Sequence, residues 1–189
     1  MSDADDLQRY LQSARDVLVW KLDGLSERQV RQPMTPTGTN LLGLVKHVAG
    51  VEAGYFGKVF GRPFPEPLPW TDVDAEPNAD MFATPEESTA DIVALYRRVW
   101  AHGDATLAGL PLEARGEVPW WPPERREVTL RRIAVHVIAD LHRHAGHADI
   151  LRESIDGVAG LRDGNSNLPD LDWAAYHARL EAVAASFDD

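Results

Sequence analysis

An all-helical bundle is the fold this sequence predicts, on three observations. Apolar residues recur at three- and four-residue steps in several long segments, the first being Leu7, Leu11, Ala14, Leu18 and Leu22. Nowhere does a stretch of any length alternate apolar and polar residues as a half-buried strand would. Two long connections rich in Pro, Gly and charge separate the helical segments, and connections of that length suit lids or crossovers. Together they give a four-helix bundle with long connections and an extra C-terminal helix, one domain over residues 1–189.

The first helix is expected from about Asp3 to Asp23. A Pro-, Gly- and Thr-rich loop, residues 32–39, follows it. Asn40 is a good N-cap for a second helix running to about Lys58. Residues 61–84 form the first long connection. Thr84-Pro85-Glu86-Glu87 offers an N-cap, Pro at the first helical position and Glu at the third, so the third helix is expected to open there and reach about Leu107. The second connection, residues 109–128, carries Trp120-Trp121-Pro122-Pro123. Thr129 then caps a fourth helix over Leu130 to about Ile155. After glycines at 157, 160 and 164, Asp172 opens the last helix, Trp173 to about Ala185.

Composition narrows the function. Hydrophobic residues make up 44% of the chain, enough for a packed core. No apolar run approaches the roughly 18–20 residues that cross a bilayer. The acidic start, Met1-Ser2-Asp3-Ala4-Asp5-Asp6, lacks the pattern of a signal peptide, so the cytoplasm is the expected compartment and a membrane is not an expected partner. A net charge of −11 opposes phosphate backbones, and the basic pairs Arg125-Arg126 and Arg131-Arg132 are too small to reverse that, so nucleic acid is set aside. There is no cysteine. Disulfides, thiolate ligands and a Cys nucleophile are excluded together, and any metal site must use nitrogen and oxygen.

The chemistry concentrates on the fourth helix. His136, Asp140, His144 and His147 follow one another at spacings of four, four and three and fall within roughly 80° of helical rotation. Ile133, Val137, Leu141, Ala148 and Leu151 share that face, so the polar groups point inward, with His144 nearest the middle and His142 turned to solvent. A buried carboxylate among imidazoles needs a partner. A divalent cation provides one; an internal Asp140–His144 hydrogen bond is the alternative, and spacing alone leaves both open. On the second helix His47 lies at the edge of the apolar stripe with Leu44, Val51 and Tyr55. Beside it stand Gly43, Gly50 and Gly54, each costing about 1 kcal/mol relative to Ala in mid-helix. Close packing against these glycines, or an opening beside His47, would account for them.

Several stretches resemble the DinB/YfiT-like superfamily of metal-binding bundles. They are Leu22-Asp23-Gly24-Leu25-Ser26, Asn40-Leu41-Leu42-Gly43-Leu44-Val45-Lys46-His47-Val48 with Val51-Glu52, and Arg143-His144-Ala145-Gly146-His147-Ala148-Asp149-Ile150-Leu151-Arg152-Glu153, trailed by Ile155-Asp156-Gly157. The resemblance implies an antiparallel four-helix bundle with a divalent metal, zinc or nickel, held by His47, Asp140 and His144. It usually has His or Glu at the middle position, so Asp140, with its shorter arm, is a departure. His147 would be a fourth ligand, a group hydrogen-bonding a ligand, or a base; His136 is a further candidate beside the ligands. Relatives of the superfamily include thiol-dependent transferases and a mycothiol-dependent maleylpyruvate isomerase, and a homodimer is expected from them.

Three protein ligands leave a coordination position free for chemistry. The first expectation is a transferase or isomerase using a small-molecule thiol, since the chain has no thiol of its own. Metal-dependent hydrolysis with His147 or Glu52 as base is the second, and a non-catalytic metal or small-molecule binder the third. Trp70, Trp120 and Trp121 either wall a pocket over the metal or staple the loops to the helices. Arg125 and Arg126 either meet an anionic substrate or are solvated. There is no nucleophile elbow, phosphate-binding loop, dinucleotide fingerprint or His-Glu-x-x-His.

Overall fold

The structure, a computed structural model, describes residues 2–187. Six α-helices and one small hairpin are present among them: α1 Asp3–Trp20, α2 Glu27–Arg31, α3 Leu41–Glu52, α4 Thr89–Gly109, β1 Arg115–Glu117, β2 Glu127–Thr129, α5 Leu130–Asp156 and α6 Trp173–Ala184. The all-helical expectation holds, and α1, α3, α4 and α5 make the bundle. Ser2, Asn40, Thr129 and Asp172 cap α1, α3, α5 and α6 by accepting a backbone N–H three residues on.

Helix directions follow from the pairs that tie them. Asp3 bonds Arg131, and the far end of α1 meets Arg152 through the Lys21 carbonyl, so α1 and α5 run parallel. Lys46 pairs with Glu87 just before α4, and Glu52 with Tyr96, so α3 and α4 also run parallel. His47 lies beside His144 and Tyr55 beside His136, which sets α3 antiparallel to α5. The bundle is therefore two parallel pairs opposed to each other. Parallel neighbours consecutive in sequence need a crossover, and residues 61–88 supply it between α3 and α4.

Three boundaries differ from expectation. Helix α4 opens at Ser88, a turn after Thr84. Half of the expected capping box does form, with the Thr84 N–H donating to Glu87 Oε2 at 2.7 Å. But Lys46, 2% exposed, draws the same carboxylate at 2.8 Å, and Ser88 with Asp91 supplies a second cap. Helix α3 changes pitch at Ala53–Gly57, a π-helical turn, and ends in a 3₁₀ turn, Lys58–Phe60. Third, the second long connection contains the hairpin, with Gly116 opposite Val128. A Cβ at Gly116 would stand 2.7 Å from the Val59 carbonyl oxygen, so a glycine is required where the hairpin lies on the end of α3.

The core joins Leu18, Leu41, Leu44, Val48, Phe56, Val99, Ile133, Val137 and Leu141, all buried. Inside it Arg15 on α1 is fully buried, donating through Nε to Glu52 at 3.1 Å and through Nη1 to Asp104 at 2.8 Å, while the Tyr96 hydroxyl donates to Glu52 at 2.8 Å. Burial pushes the Glu52 carboxyl up from its ordinary range, against the pull of Arg15 and Tyr96. Beyond Asp156 no described residue is buried; the chain there touches the bundle where Lys21 Nζ donates to the Gly160 carbonyl at 3.1 Å.

Candidate metal centre

His47, Asp140 and His144 come together between α3 and α5, each offering one ligand atom, and these atoms all lie within 4.8 Å of one another. The two imidazole rings stand edge to face, 4.8 Å between centroids. Asp140 Oδ2 and His144 Nε2 are 3.8 Å apart, too far for a hydrogen bond. Asp140 Oδ2 and His144 Nδ1 are both buried without a hydrogen-bond partner. The internal Asp–His hydrogen bond that spacing left open is therefore not made. Buried polar atoms without partners are costly unless something satisfies them, and an N/O donor set of this kind suits a divalent cation. Burial pushes the His144 imidazole below its ordinary range; Asp140 pulls the other way, and His47 and His147 add to the lowering. The neutral form favoured is the one that ligates metal.

A group the sequence did not reveal completes the arrangement. Asp80, in the crossover, lies 2.6 Å from His47 Nδ1. A carboxylate accepting from Nδ1–H fixes the tautomer and leaves Nε2 for an ion. The two long connections also explain the glycines at 43, 50 and 54, which receive loops rather than another helix. A Cβ on Gly43 would collide with the carbonyl oxygen of Met81; at Gly50 it would meet the Trp70 indole at 3.3 Å, and at Gly54 Trp120 at 3.4 Å. Between loops and helix opens a cavity of about 710 Å³ that includes His47 and Asp80 in its lining, with Trp70 and Trp120 as walls.

The other sequence candidates fall in different places. His147 is exposed and meets the His144 ring edge-on at 5.4 Å, outside the three-residue group. His136, one turn from Asp140, packs against Tyr55 and Trp121. His142 is exposed. Glu52, a candidate base, points to Arg15 and Tyr96 inside the core and takes no part in the cavity. Trp121 is a staple, its indole N–H donating to the Tyr55 oxygen at 2.9 Å, with the Arg125 and Arg132 guanidiniums near its ring. Arg126 bonds the Trp121 carbonyl oxygen.

A helical bundle with two His and one Asp converging from facing helices, beside an open cavity, is a protein of the DinB-like metal-binding class. Its sequence agrees: the family model described as mycothiol-S-transferase matches residues 6–157, and the chain belongs to that family. No curated protein matches the chain. The matched span ends at the glycine that closes α5, Gly157, at φ +77°.

Proposed function

We propose that this chain is a metal-dependent S-transferase that joins a low-molecular-weight thiol, mycothiol by family membership, to an electrophile. The observation that carries the proposal is the open cavity reaching His47 from a three-residue N/O ligand set in a chain without cysteine. His47, Asp140 and His144 would hold the ion, zinc or nickel. Bound there, a divalent cation lowers the pKa of a coordinated thiol and so supplies a nucleophile near neutral pH. Asp80 keeps the His47 ring turned toward the ligand set. Trp70 and Trp120 shield the approach from bulk water and position the electrophile. His147, at the solvent edge against His144, takes up the proton that the thiol loses. Of the two bases named for the hydrolytic alternative, Glu52 is sequestered in the core, which leaves His147. A homodimer in the cytoplasm belongs to this proposal as an expectation from the family.

Protein loaded with zinc or nickel is to be assayed with mycothiol and an alkylating electrophile such as monobromobimane. Transfer is expected to need both thiol and metal, to vanish in His47→Ala, and to slow by about 100-fold in His147→Ala with metal content unchanged. Ester hydrolysis without thiol, or full metal loading with no transfer across a panel of thiols and electrophiles, would overturn the proposal.

A further inference from the structure

Part of the cavity lining is bare helix backbone. His47, Gly50 and Gly54 follow at steps of three and four along one face of α3, so a smooth strip of backbone leads away from the ligand histidine. Trp70 and Trp120 pack onto the two glycines, so close that a Cβ there would meet the indoles at 3.3 and 3.4 Å. At the far end is Tyr55, eight residues beyond His47, about 12 Å along a helix axis.

Tyr55 carries an unusual hydrogen-bond load. It is 9% exposed, lines the cavity, and its oxygen accepts two indole N–H groups, Trp121 at 2.9 Å and Trp120 at 3.3 Å. Those donors use both lone pairs of the phenol. Its own hydrogen has no acceptor among the described residues; the nearest aromatic neighbour, His136, meets it ring to ring at 4.8 Å between centroids. Both indoles also fix the ring, so this O–H is a preset donor with nothing of the protein to donate to. The π-helical turn, Ala53–Gly57, contains Tyr55 and sets where it points.

We infer that Tyr55 is the specificity-determining anchor of the electrophile's subsite, and that the electrophile bears an acceptor oxygen remote from its reacting carbon. The inference rests on the transferase proposal for the word electrophile, but not for the subsite itself. The acceptor oxygen follows from the Tyr55 hydrogen. The distance from the reacting carbon follows from the two turns between His47 and Tyr55, which exclude an oxygen borne on that carbon.

Two unreactive ligands of one shape test this on metal-free protein without thiol: 2-acetylnaphthalene, and 2-ethylnaphthalene, which lacks the oxygen. Affinities are read by calorimetry and by quenching of tryptophan fluorescence. Wild type is expected to prefer the ketone by about five-fold, the worth of one net hydrogen bond. Tyr55→Phe should bring the ketone down to the hydrocarbon and leave the hydrocarbon unchanged. Equal affinity of the two ligands for wild type overturns the inference without any variant, as does a preference that survives in Tyr55→Phe. Loss of binding by both ligands in a folded Tyr55→Phe, checked by its melting curve, would make Tyr55 a wall support only and also overturn it. Absence of thiol transfer with the ketone preference intact would count against the transferase proposal alone.

Discussion

At the scale of single residues, the candidate metal centre is half visible in the sequence. Asp140 and His144 share a helical stripe with core leucines, and His47 sits on the apolar edge of another helix, so periodicity singles them out. Asp80 gives no such sign. It is one acid among many in a long connection, and its contact with His47 spans 33 residues of sequence. Only the fold of the crossover brings it there. Groups that hydrogen-bond metal-ligating histidines typically govern affinity by 10–100-fold. Asp80→Asn is therefore expected to weaken zinc binding by about that factor, measured by competition with a chelating dye, while Asp74→Asn, in the same connection, leaves it unchanged. A change of less than two-fold in Asp80→Asn would leave that carboxylate without a role at the ion.

At the scale of elements, strong periodicity and clear caps made α1, α5 and α6 legible almost to the residue. The start of α4 was not, because two overlapping capping sequences compete and a buried lysine on another helix decides between them. The hairpin escaped for a different reason: three-residue strands are too short to show a period. The glycines of α3 announced close packing without naming what packs. Gly43 now makes the point testable. In an ordinary helix Gly→Ala gains about 1 kcal/mol. Here the added methyl meets the Met81 backbone one residue from Asp80, and overpacking of this kind costs about 1–3 kcal/mol. Gly43→Ala should lower stability in urea and weaken metal binding together. A stabilised variant with unchanged metal affinity would refute the tie between helix and crossover. The ion pair joining α1 and α3 gives a second test. Removing one partner of a buried pair leaves the other charge uncompensated, at about 3–5 kcal/mol. Glu52→Ala should lose about that much in urea, with Asp104 too far out, at 30% side-chain exposure, to compensate Arg15 fully. A loss under about 1 kcal/mol would show that Arg15 relaxes to other partners.

At the scale of the whole molecule, the bundle class and its extra helix were legible, whereas the direction of the helices was not. Nothing local in a helix records whether its neighbour runs parallel, and the long crossover shows it only once the helix ends are placed. An ion held by His47, Asp140 and His144 would also report on the whole fold, because those residues come from two opposed helices and a ligand held only by the native state adds to stability by mass action. With free zinc at about 100 times its dissociation constant the gain is about 2.7 kcal/mol. A chelator should thus lower the melting temperature of wild type and leave His144→Ala where it was. An equal response in both proteins would place the ion elsewhere.

One stretch of chain, the crossover over residues 61–88, rests Trp70 on Gly50 and Asp80 on His47. A wall of the cavity and the carboxylate beside the candidate ligand thereby share a single cassette, bounded at one end by Gly61 and at the other by the cap of α4. Exchange of that cassette between two relatives would carry both features across at once.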